Sequence, residues 1–204
     1  MTIDNKDILN SILQNISSLS YIKPEDLPNI DLYMDQVTTF MEGQLASTKR
    51  YPEDKVLTKT MINNYAKNKL LPPPEKKRYS REHILMLIFI YYFKNILSIS
   101  DIQTLLTPIA QKYFKSMTEK DMTYIYNEVF SMEKEQIESL KKDLLRKYKT
   151  AQDTFSDADE EDQENLKRFS FICLLSFDVY VKKMMIEHLI DEMNLSSNEE
   201  KKKK

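Results

Sequence analysis

A single glycine in 204 residues is the feature that most restricts the folds open to this chain. Average usage predicts about 14 glycines in a chain of this length. Glycine supplies the positive φ angles of tight hairpin turns and lets the backbone approach phosphates closely. Its scarcity argues against β-rich folds, P-loops and GxGxxG dinucleotide sites. Because Leu, Lys, Glu and Met are also abundant, we predict an all-α protein.

The chain has one cysteine, Cys173, which excludes an internal disulfide and a thiolate metal cluster within one chain. We interpret Cys173 as a small buried hydrophobe in an apolar helix. The first ten residues are polar and acidic, unlike a signal peptide. The longest apolar runs, Ile84–Phe93 and Phe171–Val181, are shorter than the roughly 20 residues that a membrane span needs. We therefore expect a cytoplasmic protein without membrane contact.

Positive charge is concentrated in one segment of the chain. The whole chain carries a net charge of −2. Between Ala46 and His83, ten Lys and Arg residues stand against four Asp and Glu residues, a net of +6, so the rest carries −8. A basic module inside an acidic protein points to a polyanionic partner.

Hydrophobic periodicity and capping residues predict the order of the helices. The predicted helices are Asn5–Ser18, one capped by Asp31 and running to about Leu45, Thr58–Lys69, Arg81–Lys94 capped by Ser80, one starting at Ser98 or Ser100, Ile109–Lys115 opened by Thr107-Pro108, one from Thr118 to about Tyr148, and Glu160 to Asn194. Three consecutive prolines, Pro72 to Pro74, exclude helix between Leu71 and Arg78.

The helix predicted over Thr58–Lys69 has the composition of a DNA-recognition helix. Asparagine can pair with adenine, threonine can meet the thymine methyl group, and lysine reaches guanine or phosphate. The helix presents such groups on one side, namely Lys59, Thr60, Asn63, Asn64 and Lys67. For this helix taken alone, an ordinary solvated face is the alternative interpretation.

A basic segment, Lys76-Lys77-Arg78, follows directly after the proline break. Neutralisation of phosphates is the sequence-independent part of DNA binding. A basic turn next to a polar helix can contact the DNA phosphates beside the groove that the helix enters. The two features together, within about twenty residues, favour DNA over a plain surface charge cluster.

The order of these residues resembles the MerR-type winged helix-turn-helix. The matching residues are Ile62, Tyr65, Lys67, Leu70-Leu71-Pro72-Pro73, Tyr79-Ser80, Ile84, Leu87, Phe89-Ile90 and the segment Leu97–Ile102. Residues Leu32–Leu106 as a whole also resemble the domain of unknown function 1836 family, whose members are regarded as candidate DNA-binding regulators.

The resemblance implies a role for each matched residue. Tyr65 would face the phosphate backbone, and Tyr79 would pack against the helix that follows it. Phosphate contacts would come from Lys67, Lys77, Arg78 and Arg81. The wing would shorten to a turn over Pro74–Arg78. Lys69 stands where the family has a helix-ending glycine, so the left-handed cap must be reached differently or at a cost.

We therefore expect a transcriptional regulator that reads duplex DNA with a recognition helix (58–69) and a basic wing (74–81), as a homodimer. The predicted DNA-binding residues are Thr58, Lys59, Thr60, Asn63, Asn64, Tyr65, Lys67, Lys76, Lys77, Arg78 and Arg81. The predicted organisation is an N-terminal helix (1–20), the MerR-like winged helix-turn-helix domain (21–115), a helical dimerisation or effector region (116–195) and a disordered tail (196–204).

Other functions were weighed on the same residues. His83, His188 and Cys173 have no catalytic partners at useful spacing, so we expect no enzyme, and we expect no cofactor or metal. A helical protein-interaction adaptor without DNA contact is the main alternative. A ligand-sensing domain is a third, because aromatic residues such as Tyr91, Tyr124 and Phe169 can line a pocket for a small-molecule effector.

Overall fold

The computed structural model describes residues 5–18 and 21–202, which form two compact units. The first unit contains the described residues up to Tyr21 together with Ser131–Met185. The second unit contains Ile22–Phe130 and the chain from Ile186 onward. The predicted domain boundary after residue 115 falls inside the second unit.

The described residues are predominantly helical, which confirms the predicted all-α class. The helices are α1 (Asn5–Ser18), α2 (Met34–Gln44), α3 (Lys59–Lys67), α4 (Arg81–Phe93), α5 (Ile99–Tyr113), α6 (Met122–Phe130), α7 (Glu133–Gln152) and α8 (Glu160–Lys202). Short 3-10 turns lie at Pro24–Asp26 and Ala46–Thr48. Strands β1 (Leu32–Tyr33) and β2 (Arg78–Tyr79) pair antiparallel, with Leu32 opposite Tyr79.

Helix α4 is the centre of the second unit. Every residue from His83 to Tyr91 is buried, as expected for a helix that is apolar nearly all round. Residues of α2, α3, α5 and α6 pack around it in one hydrophobic cluster. The hydroxyl of Tyr126 donates to the carbonyl of Ile22 at 2.7 Å, which fixes the start of the unit to α6.

The first unit is built from α1, α7 and α8 up to Met185. Leu9, Leu144, Ala151 and Phe171 form its small buried cluster. Asn5 is also buried, and its amide nitrogen donates to the Glu164 carbonyl at 3.1 Å. This arrangement orients one face of α8 toward α1 and α7 and leaves the opposite face exposed.

Several helix boundaries differ from the predictions. Helix α2 begins after Tyr33 instead of Asp31, because residues Leu32–Tyr33 pair with β2. Helix α5 continues through Pro108, where a new helix was expected. Its apolar stripe packs on the core on both sides of the proline, with Leu106 before it and Ile109 after it, and this burial outweighs the lost hydrogen bond.

The third difference lies after Thr118, where one long helix to about Tyr148 was predicted. The structure has α6 and α7, separated at Ser131-Met132, and the boundary between the two units falls at the same place. Asp121, and not Thr118, caps α6: its carboxylate accepts the Tyr124 amide at 2.9 Å. The two helices belong to different hydrophobic clusters, so a single amphipathic stripe could not serve both.

The positive backbone φ angles of the described residues do not occur at glycine. Gly43 lies in α2, where a Cβ atom would meet nothing within 4 Å. Within residues 5–18 and 21–202, positive φ angles occur at Lys69, Lys76, Lys77, Lys115 and Phe155, none of them glycine. Left-handed backbone costs a side-chain-bearing residue about 1–2 kcal/mol. Four of these five strained residues are lysines, and all four lie in the second unit.

Two further predictions concern α8. The helix extends to Lys202, across most of the segment predicted as a disordered tail, and residues 203–204 lie outside the described residues. Cys173 is exposed and not buried as expected, because it lies on the side of α8 away from the buried Phe171. No helix in the described ranges has the length and apolar content that crossing a bilayer requires.

Candidate nucleic-acid interface

Helix α3 is anchored by its apolar side. The hydroxyl of Thr58 accepts the Met61 amide at 3.2 Å and caps the first turn. Ile62 is fully buried and Tyr65 is 6 % exposed, and both belong to the core that surrounds α4. These contacts fix the rotation of the helix about its axis and so decide which side chains meet solvent.

The opposite side of α3 carries five predicted site residues, all of them exposed. Lys59, Thr60, Asn63, Asn64 and Lys67 fall within an arc of about 140° when successive residues advance by about 100°. Two lysines and two amides therefore share one solvent-facing surface with a threonine. We call these five residues the α3 face. No acidic residue lies between Lys59 and Lys67.

The end of α3 is a Schellman motif built without glycine. Lys69 has φ 58°, its amide donates to the Ala66 carbonyl at 3.1 Å, and the Leu70 amide donates to the Tyr65 carbonyl at 2.9 Å. Leu70 is buried to 2 % exposure beneath the turn. The left-handed cap expected at Lys69 therefore forms, at the conformational cost of a non-glycine residue.

Residues Glu75–Arg78 form a tight turn. The Arg78 amide donates to the Glu75 carbonyl at 2.8 Å, and the two central residues, Lys76 and Lys77, have φ 48° and 64°. Positive φ at both central positions is the type I′ geometry, which usually takes Asn-Gly. The expected turn is therefore present, and it displays two exposed lysines at its tip.

The base of this turn is tied to α5. Lys115, just beyond the end of α5, forms an ion pair with Glu75 through its ammonium group. Its backbone amide donates to a carboxylate oxygen of Glu82 at 2.7 Å. Burial raises the pKa of Glu82, and the hydrogen bond from Lys115 opposes that shift. Glu75 and Glu82 are thus each held by Lys115, while Lys76 and Lys77 point to solvent.

The N-terminus of α2 connects the turn to α3. The Arg78 guanidinium lies 5.2 Å from the ring centre of Tyr33, and its Nη2 donates to the Tyr33 hydroxyl at 3.2 Å. Two residues later, Asp35 forms an ion pair with Lys59 at the start of α3. Arg78 and Lys59 therefore both contact the same short segment, Tyr33 to Asp35.

Three predicted site residues have structural contacts in place of the expected exposure to DNA. Tyr65 was expected to face a phosphate backbone, but it is buried in the core, and desolvation raises the pKa of its phenol. Arg81 was expected to contact phosphate, but its guanidinium donates to the Pro24 carbonyl at 2.6 Å and to the Asn29 side chain at 3.4 Å. Thr58 is used as a helix cap. The remaining predicted residues, Lys59, Thr60, Asn63, Asn64, Lys67, Lys76, Lys77 and Arg78, are exposed.

Tyr79 and His83 support the turn from below. Tyr79 is 3 % exposed and packs edge-on against His83 at 5.5 Å between ring centres, as predicted for the residue that packs on the following helix. Nδ1 of His83 accepts the Ser80 amide at 2.9 Å, so the neutral ring carries its proton on Nε2. Burial lowers the pKa of His83, and the Lys115 charge acts in the same direction.

This surface also includes residues that the sequence did not mark, namely Tyr33, Asp35 and Lys115. Each acts through a partner that is distant in sequence, so no local pattern marks it. No three His, Cys, Asp or Glu residues within the described ranges cluster in a way that could hold a metal ion.

Comparison with known proteins gives one match. The model of the family Domain of unknown function (DUF1836) matches residues 22–129, just over half of the chain. These residues almost coincide with the first segment of the second unit, Ile22–Phe130, which contains the α3 face and the lysine turn. No curated protein and no solved structure is significantly similar to the chain. The chain belongs to the DUF1836 family.

Proposed function

We propose that this protein binds duplex DNA and regulates transcription, with the α3 face in the major groove and the Lys76-Lys77 turn on the adjacent phosphates. The single observation that carries the proposal is the composition of the α3 face: two asparagines and two lysines exposed on one side of a helix that is anchored on the other. Such groups match the hydrogen-bonding edges of bases in the major groove.

The charges around the α3 face support a polyanionic partner. Lys76, Lys77 and Arg78 add three exposed cations beside it, within the segment of net charge +6. The turn has fixed geometry because Lys115 and the short β1–β2 ladder hold its base. A preformed turn loses little conformational entropy when it meets phosphates.

The arrangement of elements supports a winged helix-turn-helix of the MerR-like kind. Helix α2 precedes α3, a left-handed turn ends α3, and β2 then returns the chain to β1 in front of α2. In this proposal α2 supports the recognition helix α3, and the lysine turn takes the place of a full wing.

A homodimer is part of the proposal. Helix α3 has only nine residues, and one such helix covers too little DNA for tight, specific binding. Two copies on paired half-sites solve this problem and read an inverted repeat.

Selection from random duplex DNA with the purified protein tests the proposal, followed by fluorescence anisotropy on the enriched sequence at several salt concentrations. We expect an inverted repeat and an affinity that falls steeply with salt. Lys76→Glu with Lys77→Glu should abolish binding. The control is Lys142→Glu with Lys149→Glu on α7, which makes the same change of charge on exposed residues of the first unit.

Failure of any duplex to bind at low salt would contradict the proposal and favour a protein-interaction adaptor. Equal loss of affinity in the α7 control would show that binding follows total charge and not the lysine turn.

A further inference from the structure

A largely apolar stripe lies on the solvent side of α8 in the first unit. It consists of Leu166, Phe169, Cys173, Ser176 and Tyr180, which follow one another at alternating spacings of three and four residues. Leu166 is half-buried, Ser176 is polar, and the other three are exposed. Phe169 is 60 % exposed and Tyr180 is 66 % exposed. This heptad spacing is the one that keeps successive side chains facing a second helix. We call these five residues the α8 seam.

The opposite side of α8 is already occupied. Phe171 is buried and packs edge-on against Tyr148 of α7, with 5.6 Å between ring centres. The Asp178 carboxylate lies 2.6 Å from the ammonium group of Lys147, also on α7. Contacts within the unit therefore fix the rotation of α8, and the α8 seam is turned to solvent as a consequence.

The exposed area is large enough for a specific interface. Ile172 and Phe177 flank the α8 seam at 53 % and 66 % exposure, and Met184 extends it at 51 %. With about 200 Å² for each large side chain, Phe169, Ile172, Phe177, Tyr180 and Met184 together expose about 600 Å². Two such surfaces would bury about 1,200 Å², which reaches the range of stable protein interfaces. Apolar patches of this size are often functional surfaces.

The charges at the two ends of the α8 seam favour a second copy of the chain as its partner and determine how the two helices are oriented. Helix α8 begins with Glu160, Glu161 and Asp162, and Lys183 lies beyond the other end of the α8 seam; Lys182 is turned to the opposite side, 3.9 Å from Asp178. Parallel pairing of two copies would bring like charges together at both ends. Antiparallel pairing with the two-fold axis near Cys173 brings Asp162 beside the partner's Lys183 at each end.

We propose that the α8 seam is the surface on which two copies of this chain pair, with their α8 helices antiparallel and crossing near Cys173. This inference deepens the homodimer part of the proposed function and rests on it only there. Two-fold symmetry makes the contact self-complementary and closed, so it ends at the dimer.

Mass measurement of the full chain without DNA is the first test. Light scattering after size exclusion should give twice the 24.3 kDa of the chain. Phe169→Glu with Phe177→Glu should return the mass to that of the monomer, while far-UV circular dichroism stays unchanged because both side chains are exposed. Leu145→Glu is the matched control: Leu145 is 47 % exposed, lies on α7 of the same unit and is outside the α8 seam, so this variant should remain a dimer.

Cross-linking tests the orientation. Cys173 is the only cysteine and is exposed, so a short bis-maleimide should join two wild-type chains through it. In a Cys173→Ser background, Asn165→Cys should not cross-link, because antiparallel helices place the two copies of residue 165 about 24 Å apart along the axis. Parallel helices would place them side by side.

A monomeric wild type, or a dimer that survives the double Phe→Glu change, overturns the pairing surface. Cross-linking through residue 165 overturns the antiparallel orientation. Because these assays contain no DNA, loss of pairing and loss of DNA binding are separate results.

Discussion

Asp35 forms an ion pair with Lys59, and this contact joins the first turn of α2 to the first turn of α3. It places a carboxylate, with its side chain 73 % exposed, at the edge of the α3 face. In the proposed complex, a negative charge at this position competes with phosphate for Lys59.

Removal of that carboxylate should therefore strengthen DNA binding. Asp35→Asn leaves Lys59 to contact a phosphate, and the slope of log K against log salt concentration should steepen by about 0.9. Fluorescence anisotropy over a salt series measures both effects. Glu135→Gln, which neutralises an exposed acid of the first unit, should change neither. If Asp35→Asn matches Glu135→Gln, Lys59 does not lie at the DNA.

Asn63 and Asn64 should decide sequence preference and not overall affinity. A bidentate pair between asparagine and adenine contributes about 1–3 kcal/mol of discrimination against the wrong base. Asn63→Ala and Asn64→Ala should each relax the enriched motif at one position, while binding to unrelated duplex DNA stays the same. Repeated selection with each variant shows this directly.

The control for that experiment is Asn95→Ala, an exposed asparagine after α4. Its enriched motif should equal that of the wild type. A motif that survives both α3 variants unchanged would mean that the amides face no base.

Lys69→Gly should stabilise the protein. The left-handed backbone at φ 58° no longer opposes a Cβ atom, and after the larger entropy of the unfolded glycine is subtracted the gain is roughly 0.5–1 kcal/mol. Urea denaturation followed by circular dichroism measures the change. Asn68→Gly, one residue earlier at φ −86°, removes no such strain and should not stabilise. Equal effects of the two changes would show that the cap at Lys69 carries no measurable strain.

His83 should contribute to acid sensitivity. Burial lowers its pKa in the folded protein, so the unfolded chain binds a proton more readily than the folded chain. The stabilisation from the neutral ring is complete above about pH 6.5, the ordinary histidine value, and is lost as the pH falls from there toward the lowered folded value. Protonation of Nδ1 would also end its acceptance of the Ser80 amide.

His83→Gln separates this contribution from the carboxylates. A glutamine can accept the same amide, as Gln36 accepts the Tyr33 amide at 2.9 Å in α2, but it does not titrate. Between pH 7.5 and pH 5, the urea midpoint should fall less in His83→Gln than in the wild type. His188→Gln, at an exposed position on α8, should follow the wild type. Parallel curves for all three proteins would show that His83 is not the group that titrates.

The elements that were predicted correctly are set by residues close to one another in the sequence. Helix α1 has the predicted bounds, Asn5–Ser18, because its apolar face repeats at helical spacing. Helix α4 was recognisable as the buried centre because it is apolar nearly all round. The proline run and the scarcity of glycine were sufficient to place a turn at the lysines and to predict a mostly helical chain.

The features that the sequence did not reveal depend on contacts between residues far apart in the chain. Arg81 looks like a phosphate ligand, yet its partner, the Pro24 carbonyl, lies 57 residues earlier in the chain. Pro108 looks like a helix start, yet core contacts on both of its sides keep α5 continuous. The family resemblance assigned Tyr65 to a phosphate backbone, but Tyr65 lies on the same side of α3 as Ile62 and is buried with it in the core.

The lysine turn has a consequence for how the protein can change. At positions 76 and 77 the substitutions that would relax the backbone, glycine or asparagine, also delete the cations that the proposed function places on phosphate. At these two positions, a substitution that stabilises the fold weakens the proposed DNA contact, and a residue that keeps the contact keeps the backbone strain. Selection of variants for thermal stability alone should therefore replace Lys76-Lys77 with Asn-Gly and weaken the proposed binding to DNA.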